Sequence, residues 1–82
     1  MKLVHSKAYR VFTRVLKDAR LRAGLTQQQV ADRLNRPQSF VTKYETGERR
    51  LDVLEFLTVT EAIGVNPTRL FSRIVNGVRS VR

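Results

Sequence analysis

Between Thr26 and Thr46 the chain starts one helix, stops it and starts another, and this interruption restricts the fold more than any other feature of the sequence. Thr26-Gln27-Gln28-Gln29 has the form of a capping box, in which the Thr26 hydroxyl accepts from the Gln29 amide and the Gln29 side chain returns to the Thr26 amide. Val30, Ala31 and Leu34 follow on one helical face, and the helix stops at Asn35, the residue after glycine that best tolerates positive φ. Pro37 lies just past the turn, at the cap or the first helical position, where its missing N–H costs no hydrogen bond. The next helix carries Phe40, Val41 and Tyr44 inward and Gln38, Ser39, Thr42 and Lys43 outward, and Gly47 closes it. Two helices joined by so short a turn cross steeply and nearly touch. Ala31 supplies the small residue needed at the contact, and Val41 fills the wedge between them.

This arrangement over residues 26–46 is that of a helix-turn-helix, and the flanking sequence supplies three more helices. Ser6 caps a first helix with Tyr9, Phe12, Leu16, Ala19 and Ala23 at helical spacing, ended by Gly24. Asp52 with Glu55 forms a second capping box, and Leu51 with Phe56 has the spacing of a hydrophobic staple, which predicts a fourth helix over about 52–62 ended by Gly64. Asn66-Pro67 opens a fifth, carrying Leu70, Phe71, Ile74 and Val75. Asn76-Gly77 is a turn signal. Val78 to Arg82 alternates apolar and polar, which fits a short strand or a frayed, flexible tail over 76–82. The expected fold is all-α, one domain over residues 1–82 built of five short helices.

Several function classes lose their chemistry at this point. With no cysteine and one histidine, His5, the chain has no thiolate metal site and no means of building a zinc site or a triad, so neither metal nor cofactor is expected. It also has no acid pair, no nucleophile with its base and no phosphate-cradling glycine loop, so an enzyme is not expected. No apolar run approaches the ~20 residues of a membrane span, and the first residues lack the apolar stretch of a secretory signal, which makes the cytoplasm the expected compartment. Sixteen Lys plus Arg against seven Asp plus Glu give a net charge of +9. Of these, residues 1–50 carry 12 bases and 4 acids. A polyanionic partner suits that balance.

The stretch from Leu25 to Pro67 resembles the Cro/CI-type (XRE) helix-turn-helix family, with its lambda-repressor-like fold of five helices. The resemblance covers Lys17 to Phe71 and rests on L-T-Q at Leu25 to Gln27, A-x-x-L at Ala31 to Leu34, and Y-E-x-G-E-R at Tyr44 to Arg49. It implies sequence-specific binding of double-stranded DNA, usually as a dimer on a palindromic operator with helix three in the major groove. It also implies a partly buried ion pair between Arg20 and Glu45, and a Gln27 that braces Gln38 and meets a phosphate. Two positions depart from the family. Asn35 stands where glycine is usual, and Arg36 stands where a small apolar residue is common, which directs Arg36 toward phosphate.

Side chains at the start of a helix lying in the major groove reach base edges, whereas flanking loops reach phosphates. Gln38 is the first candidate for direct readout, since its amide matches adenine N6 and N7. Ser39 suits either base, Thr42 can offer its methyl to thymine, and Lys43 can reach guanine or a phosphate. Arg49 and Arg50, just after Gly47, are placed along the backbone with Gln27 and Arg36. Helix four is too apolar for one buried stripe, because Val53, Leu54, Phe56, Leu57, Val59 and Ile63 do not fit on a single face. A second copy covering Val59, Ile63, Phe71, Ile74 and Val75 answers that, as a homodimer with recognition helices about 34 Å apart. The leading expectation is therefore a dimeric transcriptional repressor. Two other uses of such a chain are an antitoxin that binds both DNA and a toxin protein, and an adaptor that bridges proteins without reading DNA.

Overall fold

The computed structural model describes residues 6–81, and His5 and Arg82 lie outside them. Five helices follow one another: α1 Lys7–Arg22, α2 Gln27–Leu34, α3 Gln38–Thr46, α4 Val53–Ile63 and α5 Pro67–Val81. Four of the five starts are fixed by the side chains that the sequence offers for the purpose. Ser6 Oγ accepts from the Tyr9 amide at 3.0 Å, and Asn66 Oδ1 from the Arg69 amide at 3.0 Å. Both capping boxes close in both directions, Thr26 with Gln29 and Asp52 with Glu55. Each such cap contributes about 1 kcal/mol by satisfying amide groups that the first helical turn leaves unpaired. Asp52 itself is the cap of α4, which starts at Val53 and runs one residue beyond the expected end, to Ile63.

The core is drawn from every helix. Leu16, Val30, Ala31 and Val41 are wholly buried, and Tyr44, Val59 and Leu70 almost so. In α1 the buried face is rotated from the expected stripe: Thr13, Val15 and Arg20 join Leu16 and Ala19 inside, while Ala23 is exposed. Thr13 tolerates this because its hydroxyl donates to the Arg10 carbonyl at 3.0 Å. Arg33, exposed at the end of α2, donates to the Ala62 carbonyl at 2.9 Å, fastening α2 to the last turn of α4.

Two expectations need correction here. The turn, strand or tail expected over 76–82 is, as far as the described residues reach, the last turn and a half of α5, which continues without a break to Val81; Arg82 lies outside them. Leu70, Ile74 and Val78 recur every four residues and pack on the core, so burial continues the helix across Asn76-Gly77. Gly77 serves close approach rather than a turn: a β-carbon there would lie 2.5 Å from Val11 Cγ1 of α1. The second correction concerns the proposed dimer face. Val59, Ile63 and Ile74 are 1%, 4% and 6% exposed within the protomer, which leaves them almost no surface for a second copy. Val75 is half-buried and Phe71 remains exposed. The apolar excess of α4 comes to the surface elsewhere, at Val53, Leu54 and Leu57. Among the described residues, no helix is long and apolar enough to cross a membrane.

Candidate nucleic-acid interface

The turn between α2 and α3 is built from backbone bonds that the sequence makes available. Asn35 adopts the left-handed conformation, φ 56° and ψ 44°. This lets the Asn35 amide donate to the Asp32 carbonyl at 3.1 Å and the Arg36 amide to Ala31 at 3.0 Å. That pair of bonds closes the helix end in a Schellman arrangement, with asparagine doing at modest strain what glycine does without any. Pro37 then starts α3, its ring holding φ at −67°. Ala31 and Val41 are both fully buried between α2 and α3, as the steep crossing requires.

The consequence is a two-sided α3. Phe40, Val41 and Tyr44 face the core, and Gln38, Ser39, Thr42 and Lys43 are all exposed on the other side. Burial also raises the Tyr44 hydroxyl well above its ordinary pKa, so the ring stays neutral inside the protein. The outward face meets the condition for entering a groove.

Behind that face runs a continuous polar chain. Arg20 Nε donates to Glu45 Oε2 at 2.7 Å and its Nη2 to Oε1 at 3.1 Å, while Nη1 donates to the Leu25 carbonyl at 2.9 Å. The two side chains are 8% and 3% exposed, so the pair is buried. The bonded carboxylate raises the Arg20 pKa further, which keeps the guanidinium charged. Glu45 Oε1 also accepts from Gln27 Nε2 at 2.9 Å. Gln27 Oε1 in turn accepts from Thr42 Oγ1 at 2.8 Å and, at the longer distance of 3.4 Å, from Gln38 Nε2. The ion pair in the core thereby orients Gln27, and Gln27 orients two exposed residues of α3.

This geometry refines several sequence-based assignments. The Gln27 side-chain amide uses one of its two N–H groups inside the protein, so α2 can offer a phosphate the second of these together with its free first-turn backbone N–H groups. The Thr42 hydroxyl is likewise engaged, leaving its methyl as the outward group. Arg49, placed by the sequence along a phosphate backbone, has its guanidinium clasped by Glu55 through Nη1–Oε1 at 3.1 Å and Nη2–Oε2 at 2.7 Å. Arg36 Nη2 stands 3.8 Å from the same carboxylate. Both guanidinium groups lie over the Phe40 ring, at 4.4 Å for Arg36 and 4.8 Å for Arg49. Arg50 and Lys43 remain exposed.

The hub formed by Glu55 and Phe40 was missed in sequence. Glu55 is legible only as the partner of Asp52 in the capping box, and Phe40 only as core. Arg49 holds the Glu55 carboxyl below the ordinary value of 4.5 and Glu55 raises Arg49 in return. A carboxyl with a depressed folded pKa stabilises fully above its unfolded value and loses that contribution as pH falls through the folded one. Urea unfolding midpoints should therefore drop as pH is lowered from about 5 to 3, and Glu55→Gln should flatten that part of the profile. Identical slopes for the two proteins would show that the clasp adds nothing to stability.

Comparison with known proteins agrees with this architecture. A helix-turn-helix domain family model matches residues 11–70. An XRE-family like protein from Pseudomonas syringae pv. tomato str. DC3000 has a similar structure at 45% sequence identity, covering 92% of each chain with a TM-score of 0.82. The wild-type restriction-modification controller protein C.Esp1396I shares the fold at 20% identity, over 90% of this chain and 95% of that one, with a TM-score of 0.81. No curated protein matches the chain significantly. With an all-helical fold, a helix-turn-helix whose polar face is exposed, and these relatives, the chain belongs to the XRE family of helix-turn-helix proteins.

Proposed function

We propose that the protein is a DNA-binding transcription regulator that reads a palindromic operator as a dimer and represses by covering promoter sequence. The observation that carries this is the exposed quartet Gln38, Ser39, Thr42 and Lys43 on α3, held from behind by the chain Arg20–Glu45–Gln27. A fixed amide at the start of a helix that fits the major groove is suited to adenine, and Lys43 one turn later to guanine or phosphate. Ser39 completes the polar edge, and the Thr42 methyl suits thymine. Arg50, the amino end of α2 and, by sliding off Phe40, Arg36 supply phosphate contacts without sequence information.

Random-site selection with sequencing tests this reading, because it reports motif, symmetry and half-site spacing together. Gln38→Ala should lose about 1–3 kcal/mol of binding and relax preference at one operator position. Arg50→Ala serves as the reference for general weakening, read as a shallower dependence of affinity on salt. Selection that returns no preferred sequence would remove the reading altogether.

For the dimer, the surface that fits is Val53, Leu54 and Leu57 of α4 with Phe71 of α5, which are 74%, 74%, 44% and 55% exposed. Val53, Leu57 and Phe71 border an apolar groove with Phe12, Phe56 and Pro67, and Leu54 flanks a neighbouring one. So much apolar surface in one area of a small protein is a marker of association. Sedimentation at micromolar concentration should give a dimer that Phe71→Glu converts to a monomer, and an unchanged dimer would place the interface elsewhere.

A further inference from the structure

The recognition helix does not account for the charge of the chain: α3 carries one cation, Lys43, and one anion, Glu45, whereas the net charge is +9. Ion pairs occupy Arg20, Arg36 and Arg49. Three other arginines, Arg22 at the end of α1 with Arg69 and Arg73 one turn apart on α5, line an open cleft of about 450 Å³. None of the three takes part in an ion pair among the described residues, and no acidic side chain lines the cleft. Its remaining walls are largely apolar, with Ala23 exposed, Val65 half-buried and Leu70 buried beneath. Nothing from α2 or α3 lines it.

Three guanidinium groups around one cavity repel each other, and an anion placed between them relieves that repulsion. The apolar floor narrows the kind of anion. A free phosphate has no apolar group to set on Ala23 and Val65, and a sugar-phosphate backbone offers only small sugar C–H edges between its charges, so either leaves most of that surface wet. A peptide that alternates carboxylates with aliphatic side chains satisfies rim and floor at once, the carboxylates pairing with arginine forks and the aliphatic groups covering the floor. The volume lies within the ~300–1,000 Å³ usual for ligand sites.

We propose that the cleft between α1 and α5 docks an acidic peptide segment of a partner protein, one that carries aliphatic side chains between its carboxylates. This gives the molecule a protein-binding face built from elements other than those assigned to DNA. It does not depend on the DNA reading, since neither the site nor its test involves an operator.

A labelled peptide of alternating glutamate and leucine, followed by fluorescence anisotropy and by amide shift mapping on the full chain, tests the assignment. Shifts should centre on Ala23, Val65 and the start of α5. The double variant Arg69→Gln/Arg73→Gln should bind about tenfold more weakly, because two charge-assisted contacts are lost. Both side chains are exposed, so the variant keeps its fold, which circular dichroism checks. Gln38→Ala should bind the peptide as the parent does, and the same peptide with glutamine for glutamate should not bind. Any of four results overturns the proposal: no binding at millimolar peptide, equal binding by the double variant, equal binding of the glutamine peptide, or displacement by millimolar inorganic phosphate or a duplex of arbitrary sequence.

Discussion

Arg20→Ala should lower the unfolding free energy by about 3–5 kcal/mol, a large share of the total for a domain of this size. The substitution strands the Glu45 carboxylate at 3% exposure with its two arginine bonds gone and only Gln27 still donating to it. Desolvation without the matching cation is what makes the loss so large. A comparison with Arg20→Met/Glu45→Leu separates the two halves of the effect. Removing both charges together should cost far less stability than removing one, because no charge remains buried. The double variant still deprives Gln27 of its acceptor, so its operator affinity should fall even where its fold recovers. Denaturant unfolding and operator titration on the three proteins decide the matter. A loss under about 1 kcal/mol for Arg20→Ala would mean that water reaches the pair.

Phe40→Ala should cost about 3–5 kcal/mol, the usual range for deleting a buried aromatic ring. Phe40 is 7% exposed and meets Tyr44 edge-on, with ring centroids 5.6 Å apart. Its outer neighbours are the guanidinium groups of Arg36 and Arg49, each held over the ring face by a cation–π contact. Phe40→Leu keeps much of the buried area and removes the aromatic surface. It should recover most of the stability while leaving Arg36 less well held. If Phe40→Leu proved as damaging as Phe40→Ala, the ring's shape in the core, not its area, would be the dominant factor.

Legibility in the sequence followed the range of the interaction. Helix starts were readable because a cap is settled within four residues: Ser6 to Tyr9, Thr26 to Gln29, Asp52 to Glu55 and Asn66 to Arg69. Asn35 and the outward face of α3 were readable for the same reason, and the Ala31–Val41 spacing because a short turn fixes how two successive helices cross. The Arg20–Glu45 pair came from family resemblance, since its partners are 25 residues apart and no local rule joins them. The failures were non-local as well. Asn76-Gly77 carries a turn signal, but the deciding contact is with Val11 at the far end of the chain. The division of α4 into buried Val59 and Ile63 and exposed Val53 and Leu54 depends on where α1, α2 and α5 pack, which the apolar count of a single helix does not contain. Arg49 looked like a free cation because Glu55 already had an evident role as half of a capping box; in the fold it does both.

One oxygen atom in the polar chain couples two exposed side chains of α3. Gln27 Oε1 is shared by Gln38 and Thr42, so a rotation that lets Gln38 follow a new base releases or tightens the bond that fixes Thr42. Where Gln38 and Thr42 meet bases as proposed, the preferences they set are correlated: penalties for single mismatches would not sum to the penalty for both, and a matrix that scores each letter separately would misrank sites differing at the pair.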